Sequence, residues 1–197
     1  MRPADTLPEH LVAPGVKVSM KTFKLKNNRG LFPSLLMCLL LGSCASMPEG
    51  AKPVNNFETE KYLGTWYEIA RMDFRFEKGL SKVTATYSKR ADGKIRVDNK
   101  GYDAANQKWK QSIGKARLTG AANMGTLEVS FFGPFYAAYN VLAVDEHYQY
   151  ALVVGGSVDY VWILSRTKTI PEEVRQHYLE IARGLGCDVN ALVWTEQ

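Results

Sequence analysis

The sequence is poor in the residues that form disulfides, metal sites and catalytic centres. Its 197 residues include three cysteines and three histidines. Cys38 and Cys44 lie near the N-terminus, so Cys187 alone remains in the body of the chain and no intramolecular disulfide is expected there. His147 falls in a predicted turn and His177 on a predicted helix, without the spacing of a metal site or a catalytic triad.

The apolar run near the N-terminus is too short to cross a bilayer as a helix. It extends over about 11 residues, from Leu31 to Leu41, whereas ~20 are needed. Basic residues precede it and small residues follow it, which is typical of a secretory signal peptide. Leu41-Gly42-Ser43-Cys44 resembles a bacterial lipobox, in which the cysteine becomes the lipidated N-terminus. The alternative is that Cys44 merely lies near a cleavage site.

These signals divide the chain into three parts. Residues 1–43 are interpreted as an extension and signal peptide, in which 1–19 are an over-long gene start. Residues 44–57 are interpreted as a lipidated tether with Pro48, Gly50 and Pro53, and 58–197 as the folded domain. Ala45 is not the aspartate of an inner-membrane retention signal, so the outer membrane is favoured.

The charge of the chain argues against nucleic-acid binding. Residues 1–43 carry six Lys or Arg and two Asp or Glu, whereas residues 44–197 carry 19 and 18. The basic character therefore belongs mostly to the targeting segment. A nucleic-acid partner would require a basic folded domain.

Apolar and polar residues alternate in the body of the chain, with turn residues about every ten positions. This pattern is typical of an all-β sandwich or barrel. We predict eight strands over 64–71, 82–89, 94–102, 108–118, 126–131, 136–144, 150–154 and 160–165, with a hairpin turn at Asp92-Gly93. Leu127, Val129 and Phe131 are predicted to face the interior, opposite Glu128 and Ser130.

The periodicity then changes to that of a helix. Pro171-Glu172-Glu173 places proline and acids at a helix start, and the helix is predicted to end near Gly184 to Gly186. A short strand, Leu192 to Thr195, follows. An eight-stranded meander closes into a barrel without edge strands, and a barrel of this size holds one small ligand.

Two motifs carry a resemblance to the lipocalin family, and in particular to its bacterial outer-membrane lipoproteins. Gly64-x-Trp66 matches the first family motif, and Trp162 to Arg166 matches the third. The second motif is matched only loosely by Asp145 to Tyr148. The resemblance implies an eight-stranded up-and-down antiparallel barrel with one C-terminal α-helix packed outside and a short ninth strand. It also implies that the Arg166 cation covers the Trp66 ring at the closed end.

The resemblance and the alternation together predict a ligand-binding cup. Its predicted lining comprises Tyr87, Val97, Asn99, Leu127, Val129, Phe131, Tyr139, Val141 and Trp162. Aromatic residues at the open end are predicted to surround the mouth as an exposed interaction surface, namely Phe74, Phe76, Phe135 and Tyr136. The alternatives are that the lining residues are ordinary core and that the mouth aromatics fold inward as a lid. The orientation of Glu68 stays open.

The resulting hypothesis is an outer-membrane lipoprotein that carries or stores a lipid for membrane maintenance or stress. The lipid would be a fatty acid, such as palmitate, or a lysophospholipid. Its partners would be the lipid and the membrane, with no nucleic acid, no cofactor and no metal, and a homodimer is possible. A structural envelope lipoprotein with a filled barrel is the main alternative. An enzyme acting on an apolar substrate is the other.

Overall fold

The computed structural model describes residues 47–197, so Cys44 and the signal segment lie outside the described residues. Nine strands form one sheet: β1 Gly64–Arg71, β2 Leu80–Lys89, β3 Ile95–Asp103, β4 Lys108–Leu118, β5 Thr126–Phe132, β6 Phe135–Val144, β7 Tyr150–Val154, β8 Val161–Ser165 and β9 Val193–Trp194. Each strand from β1 to β7 pairs antiparallel with the next, β8 pairs back with β1, and β9 adds to the other side of β1. The predicted closed eight-stranded barrel is therefore confirmed.

The helical elements are α1, Thr59–Tyr62, and α2, Glu172–Gly184, with one 3₁₀ turn at Val189–Ala191. α2 follows the predicted proline and acids, whereas α1 was not predicted because four residues are too few to show a helical period. No helix in the described part of the chain is both long and apolar enough to span a membrane.

The apolar residues divide between two cores on opposite faces of the same wall. Inside the barrel, Trp66, Val97 and Val141 belong to one buried cluster. Leu152 and Ile163 face outward and pack with Tyr178 and neighbouring residues of α2. Strands buried on both faces explain why β7 reads as a continuous apolar run rather than an alternation.

The chain before β1 follows the barrel wall instead of leaving it directly. The Val54 amide donates to the Val141 carbonyl (2.9 Å), and the Phe57 amide donates to the Asn123 carbonyl (2.7 Å). Phe57 is buried in the barrel cluster. Residues 54–57 are thus fixed to the domain, and any freely moving tether after Cys44 ends before them.

The C-terminal residues close a seam between the first two strands. β1 and β2 pair directly only from Gly64 to Tyr67. Beyond that point the Thr195 amide donates to the Ile69 carbonyl (3.0 Å), and the Lys82 amide donates to the Glu196 carbonyl (2.6 Å). The Gln197 side chain donates to the carbonyls of Glu68 and Val83. The tail therefore substitutes for the missing pairing in the upper half of the seam.

Candidate functional site

The closed end of the barrel is built around Trp66 and Arg166. The guanidinium of Arg166 lies over the Trp66 ring, 3.8 Å from its centroid. It also donates to the carbonyls of Lys61, Leu63, Thr65 and Tyr148 at 2.8 to 3.1 Å. One side chain thereby satisfies four backbone acceptors and covers the floor residue.

Glycine is required at position 64 for two reasons. Its φ is +95°, a conformation that residues with a Cβ rarely adopt. In addition, a Cβ there would lie 3.3 Å from Nη1 of Arg166. The Gly64-x-Trp66 motif therefore allows the chain to enter β1 directly beneath the arginine.

Three tyrosine hydroxyls join above this floor. Tyr139 lies within hydrogen-bond distance of both Tyr62 (2.7 Å) and Tyr87 (2.9 Å). The Trp66 indole nitrogen donates to the Tyr62 carbonyl at 2.8 Å. Burial raises the pKa of Tyr87 to about 12, so these hydroxyls stay neutral and supply the polar part of an otherwise apolar floor.

The nine predicted lining residues all belong to strands of the barrel and differ in burial. Four pack fully into the interior cluster: Tyr87, Val97, Leu127 and Val141. Five stay partly accessible although they lie on the inward positions of their strands: Asn99, Val129, Phe131, Tyr139 and Trp162. The buried four pack as ordinary core, and the other five keep partial access to solvent; one of these, Tyr139, lies directly beside buried Leu127.

Asn99 is the residue with an amide side chain among these five partly accessible positions. It pairs with Ala85 on β2 and with Ser112 on β4, and its Oδ1 is buried with no hydrogen-bond partner among residues 47–197. Ser112 is exposed. An unpaired buried acceptor costs free energy unless water or a ligand donates to it, so this position accommodates a polar group.

The mouth aromatics do not share one environment, which corrects the predicted ring of exposed residues. Phe74 is buried, with its ring centroid 4.7 Å from Trp162 and 5.3 Å from Tyr160. Phe74 thus matches the alternative in which a mouth residue folds inward. Phe76 stacks on Phe74 but stays 69% exposed.

The second part of that correction concerns β6. Phe135, which lay before the predicted strand 136–144, is the first residue of β6, and the turn contains only Gly133 and Pro134. Phe135 is 77% exposed. Tyr136 faces the outside of the barrel, where Arg117 lies 4.5 Å from its ring centroid. Tyr136 therefore does not line the mouth.

Ser130 departs from the predicted pattern in its burial and not in the face of the sheet that it occupies. The β5–β6 register shifts between Val129 and Phe132. Ser130, predicted to face water, is buried. Ser130 still pairs with Lys115 on the outer side of β4, so alternation predicted its face but not its burial.

A buried charged cluster connects β1, the β1–β2 loop and the C-terminal tail. Arg71 Nη1 donates to Glu68 Oε1 (2.8 Å) and to Thr195 Oγ1 (3.0 Å), and Arg71 Nη2 donates to the Glu77 carbonyl (2.7 Å). The open question about Glu68 is thereby answered: its carboxylate is buried in the seam. Sequence reasoning missed Arg71 and Glu77 because the bulge at Ile69 changes the alternation.

Glu77 contacts the upper wall of the cup. Its Oε2 accepts a hydrogen bond from Nε1 of Trp162 at 3.3 Å. Burial, reinforced by the nearby negative charge of Glu68, raises the pKa of Glu77 to about 7. The first loop is thus attached to the interior by a carboxyl group that titrates near neutral pH.

Two surface depressions lie outside the barrel. One, of about 350 Å³, lies between Gly50 and Leu185, the residue that follows α2. The other, of about 500 Å³, lies beside Asn55 and Tyr148. Within residues 47–197, no group of three or more His, Cys, Asp or Glu side chains is arranged to hold a metal ion.

Comparisons with known proteins place the chain in a family. Residues 57–197 match the family model described as a lipocalin-like domain. The outer membrane lipoprotein Blc of Escherichia coli K12 is 55% identical over 160 residues, which cover 80% of this chain and 90% of that protein. The protein of the same name from Vibrio cholerae is 46% identical over 165 residues, 83% of this chain and 96% of that protein.

A more distant relative is also similar in sequence, and a solved structure is similar in fold. Apolipoprotein D of Mus musculus is 36% identical over 166 residues, 80% of this chain and 84% of that protein. Insecticyanin from the tobacco hornworm Manduca sexta is 21% identical with a TM-score of 0.63, over 77% of this chain and 87% of that structure. The matched family domain, together with the closed barrel and its Trp66–Arg166 floor, shows that the chain belongs to the lipocalin family.

Proposed function

We propose that this protein binds one single-chain lipid, a fatty acid or a lysophospholipid, in the upper half of its barrel and carries or stores it. The observation that supports this most directly is the accessibility of five inward positions: Asn99, Val129, Phe131, Tyr139 and Trp162. An apolar wall with a few polar groups is the usual lining of a small-molecule site. The proposed role is binding, and no reaction is assigned.

The energetics allow reversible carriage. An acyl chain of about 16 carbons gains roughly 13 kcal/mol at ~0.8 kcal/mol per buried methylene. Association costs about 4 to 15 kcal/mol, and micromolar binding needs about 8 kcal/mol net. The closed floor supports this balance because hydrogen bonds already fix Trp66 and the three tyrosines. Lipid binding therefore loses no conformational entropy by ordering these side chains.

The proposed location is the outer membrane, with Cys44 as the lipidated residue. The relatives named outer membrane lipoprotein support this location, and the order of basic residues, apolar run, small residues and cysteine supports the anchor. Membrane maintenance under stress is the proposed context, and pairing of two barrels is a further possibility within it.

Filling the cup tests the binding proposal. Asn99→Trp adds bulk at a partly accessible inward position, whereas Asn99→Leu is a matched control with the same branched shape and the same number of side-chain heavy atoms. Native mass spectrometry with palmitate and palmitoyl lysophospholipid is expected to show one lipid on the parent chain and on Asn99→Leu, and at least about tenfold weaker retention on Asn99→Trp.

The filled-barrel alternative predicts the opposite pattern. Under it, the parent chain retains no lipid at any concentration below micelle formation, and the three proteins do not differ. Turnover of the added lipid by the parent chain would instead support the enzyme alternative.

Replacement of Cys44 tests the anchor. Cys44→Ala is expected to leave the protein unlipidated and to release it from the membrane fraction, because a thioether-linked lipid requires the cysteine sulfur. Mass spectrometry of the intact protein and fractionation of cells measure both effects. A Cys187→Ala variant is the control, and membrane attachment that persists in Cys44→Ala contradicts the anchor.

A further inference from the structure

The charges of the folded domain are separated between two parts of the barrel. Strands β2 to β4 with their connecting turns, residues 80–118, contain ten Lys or Arg and three Asp or Glu, a net charge of +7. The other residues of the described chain contain nine and fifteen, a net charge of −6. These three strands are neighbours in the sheet, so the near-neutral total conceals one strongly basic wall.

The outer face of this wall also exposes apolar side chains. Inward positions of β3 and β4, such as Val97 and Ala116, lie in the barrel core, so their strand neighbours face outward. We define the basic outer face by Lys82, Lys100, Tyr102, Trp109, Ile113 and Lys115. Trp109 is 52% exposed, and Ile113 is 40% exposed.

The lysines of the basic outer face lie over aromatic rings rather than beside carboxylates. The distances from Nζ to the ring centroid are 5.8 Å for Lys82 on Tyr102, 5.1 Å for Lys100 on Trp109, and 5.7 Å for Lys115 on Tyr136. None of the three has a carboxylate within ion-pair distance among residues 47–197. Their charges are therefore available to an external anion.

An apolar tip adjoins this face at the open end. The hairpin between β5 and β6 exposes Phe132 (83%) and Phe135 (77%). The next residue, Tyr136, lies against Arg117 and Lys115. The basic outer face and the phenylalanine tip are thus continuous on the outside of the molecule.

We propose that the basic outer face and the Phe132–Phe135 tip together form a docking surface for an anionic lipid bilayer. Lysines near an anionic membrane surface are attracted to its headgroups, and Trp and Tyr favour the membrane–water interface. Ile113, Phe132 and Phe135 would enter the acyl region, a role that a nucleic-acid backbone does not offer them. The surface is distinct from the interior lipid site and does not depend on it.

Site-specific fluorescence tests the docking surface in the full chain. In a Cys38→Ala, Cys44→Ala background, Gln111→Cys places an environment-sensitive fluorophore between Trp109 and Ile113. Gln176→Cys places the same label on the exposed side of α2. Both glutamines are exposed and each makes one side-chain hydrogen bond to a nearby carboxylate, so the two labelled proteins are matched.

Vesicles containing phosphatidylglycerol are expected to shift the emission at position 111 to the blue, and not the emission at position 176. Pure phosphatidylcholine vesicles are expected to have little effect, and high salt is expected to reverse the shift. Lys100→Glu with Lys115→Glu is expected to weaken the response about thirtyfold or more, whereas Lys168→Glu with Arg183→Glu, an equal charge change elsewhere, leaves it intact.

Three results would overturn the docking surface. The first is vesicle binding with an unchanged label at position 111, which assigns binding to the N-terminal segment. The second is an equal loss of the fluorescence response in both charge-reversal variants, which would show that the response depends on net charge alone. The third is a larger response at position 111 to duplex DNA than to the vesicles. Lipid retention inside the barrel is expected to survive Lys100→Glu with Lys115→Glu, so failure here and failure of the carrier role are distinguishable.

Discussion

At the scale of single residues, the molecule depends on two arginines with different partners, Arg166, which is half-buried, and Arg71, which is fully buried. Arg166 joins the first and last parts of the barrel by donating to four backbone carbonyls beneath Trp66. Arg71 joins β1, the first loop and the C-terminal tail, and its partners include the carboxylate of Glu68. The motif pairing of Trp66 with Arg166 was predictable from the resemblance. The Arg71 cluster was not predictable, because the spacing of Arg71 and Glu77 does not indicate the bulge at Ile69.

Arg166→Lys is expected to lower the free energy of unfolding by about 2 to 3 kcal/mol, since a lysine cannot direct donors at four separate carbonyls and leaves some unpaired. Urea unfolding measures the change. Arg183→Lys on the exposed side of α2 is the control and is expected to stay within about 0.5 kcal/mol of the parent. Equal stability of Arg166→Lys and the parent protein would contradict this role.

Glu77 is expected to make stability depend on pH. Its folded-state pKa of about 7 exceeds the ordinary 4.5, so the folded state binds the proton more tightly than the unfolded state does. Stability therefore falls as pH rises from about 4.5 to 7, by up to about 3 kcal/mol. Glu77→Gln retains an acceptor for Trp162 and is expected to lack this fall. Urea unfolding between pH 4.5 and 8 compares the two proteins, and parallel curves would be the contrary result.

At the scale of elements, most of the architecture follows from alternation and turn residues. The bounds of β1, β4 and β7 were predicted to the residue. The predicted hairpin turn at Asp92-Gly93 connects β2 and β3, with Gly93 at φ +76°. The predicted exposure was wrong at Ser130, which is buried although it keeps its outward position in β5. The predicted pattern also missed the tail, because pairing of the C-terminus with β1 and β2 is a long-range contact without a local signal.

Deletion of residues 195–197 is expected to destabilise the barrel by about 2 to 4 kcal/mol. The tail supplies several hydrogen bonds to the upper seam, each contributing about 1 kcal/mol net, and Thr195 satisfies part of the Arg71 cluster. Hydrogen exchange at the Lys82 amide reports the seam directly. Glu196→Ala keeps the backbone and is the control. Unchanged protection of Lys82 after deletion would show that the seam closes without the tail.

At the scale of the whole molecule, one small barrel carries three separate surfaces. The floor is closed by Trp66 and the tyrosines, several inward residues of the barrel are only partly buried, and the outer wall of β2 to β4 is basic. The closed barrel and the identity of the floor were predictable from motifs. The charged wall was hidden in the sequence because the net charge of +1 over residues 44–197 averages over strands that only the sheet order brings together.

The central claim, that the upper barrel takes a lipid chain, is tested most directly by the four indole N–H signals in an NMR titration. Trp162 and Trp66 lie inside the barrel, whereas Trp109 and Trp194 are exposed. With palmitate below its micelle-forming concentration, the account predicts that the Trp162 signal shifts and saturates at one lipid per chain while the Trp109 and Trp194 signals stay in place. An unmoved Trp162 signal, or movement confined to Trp109 and Trp194, would contradict it.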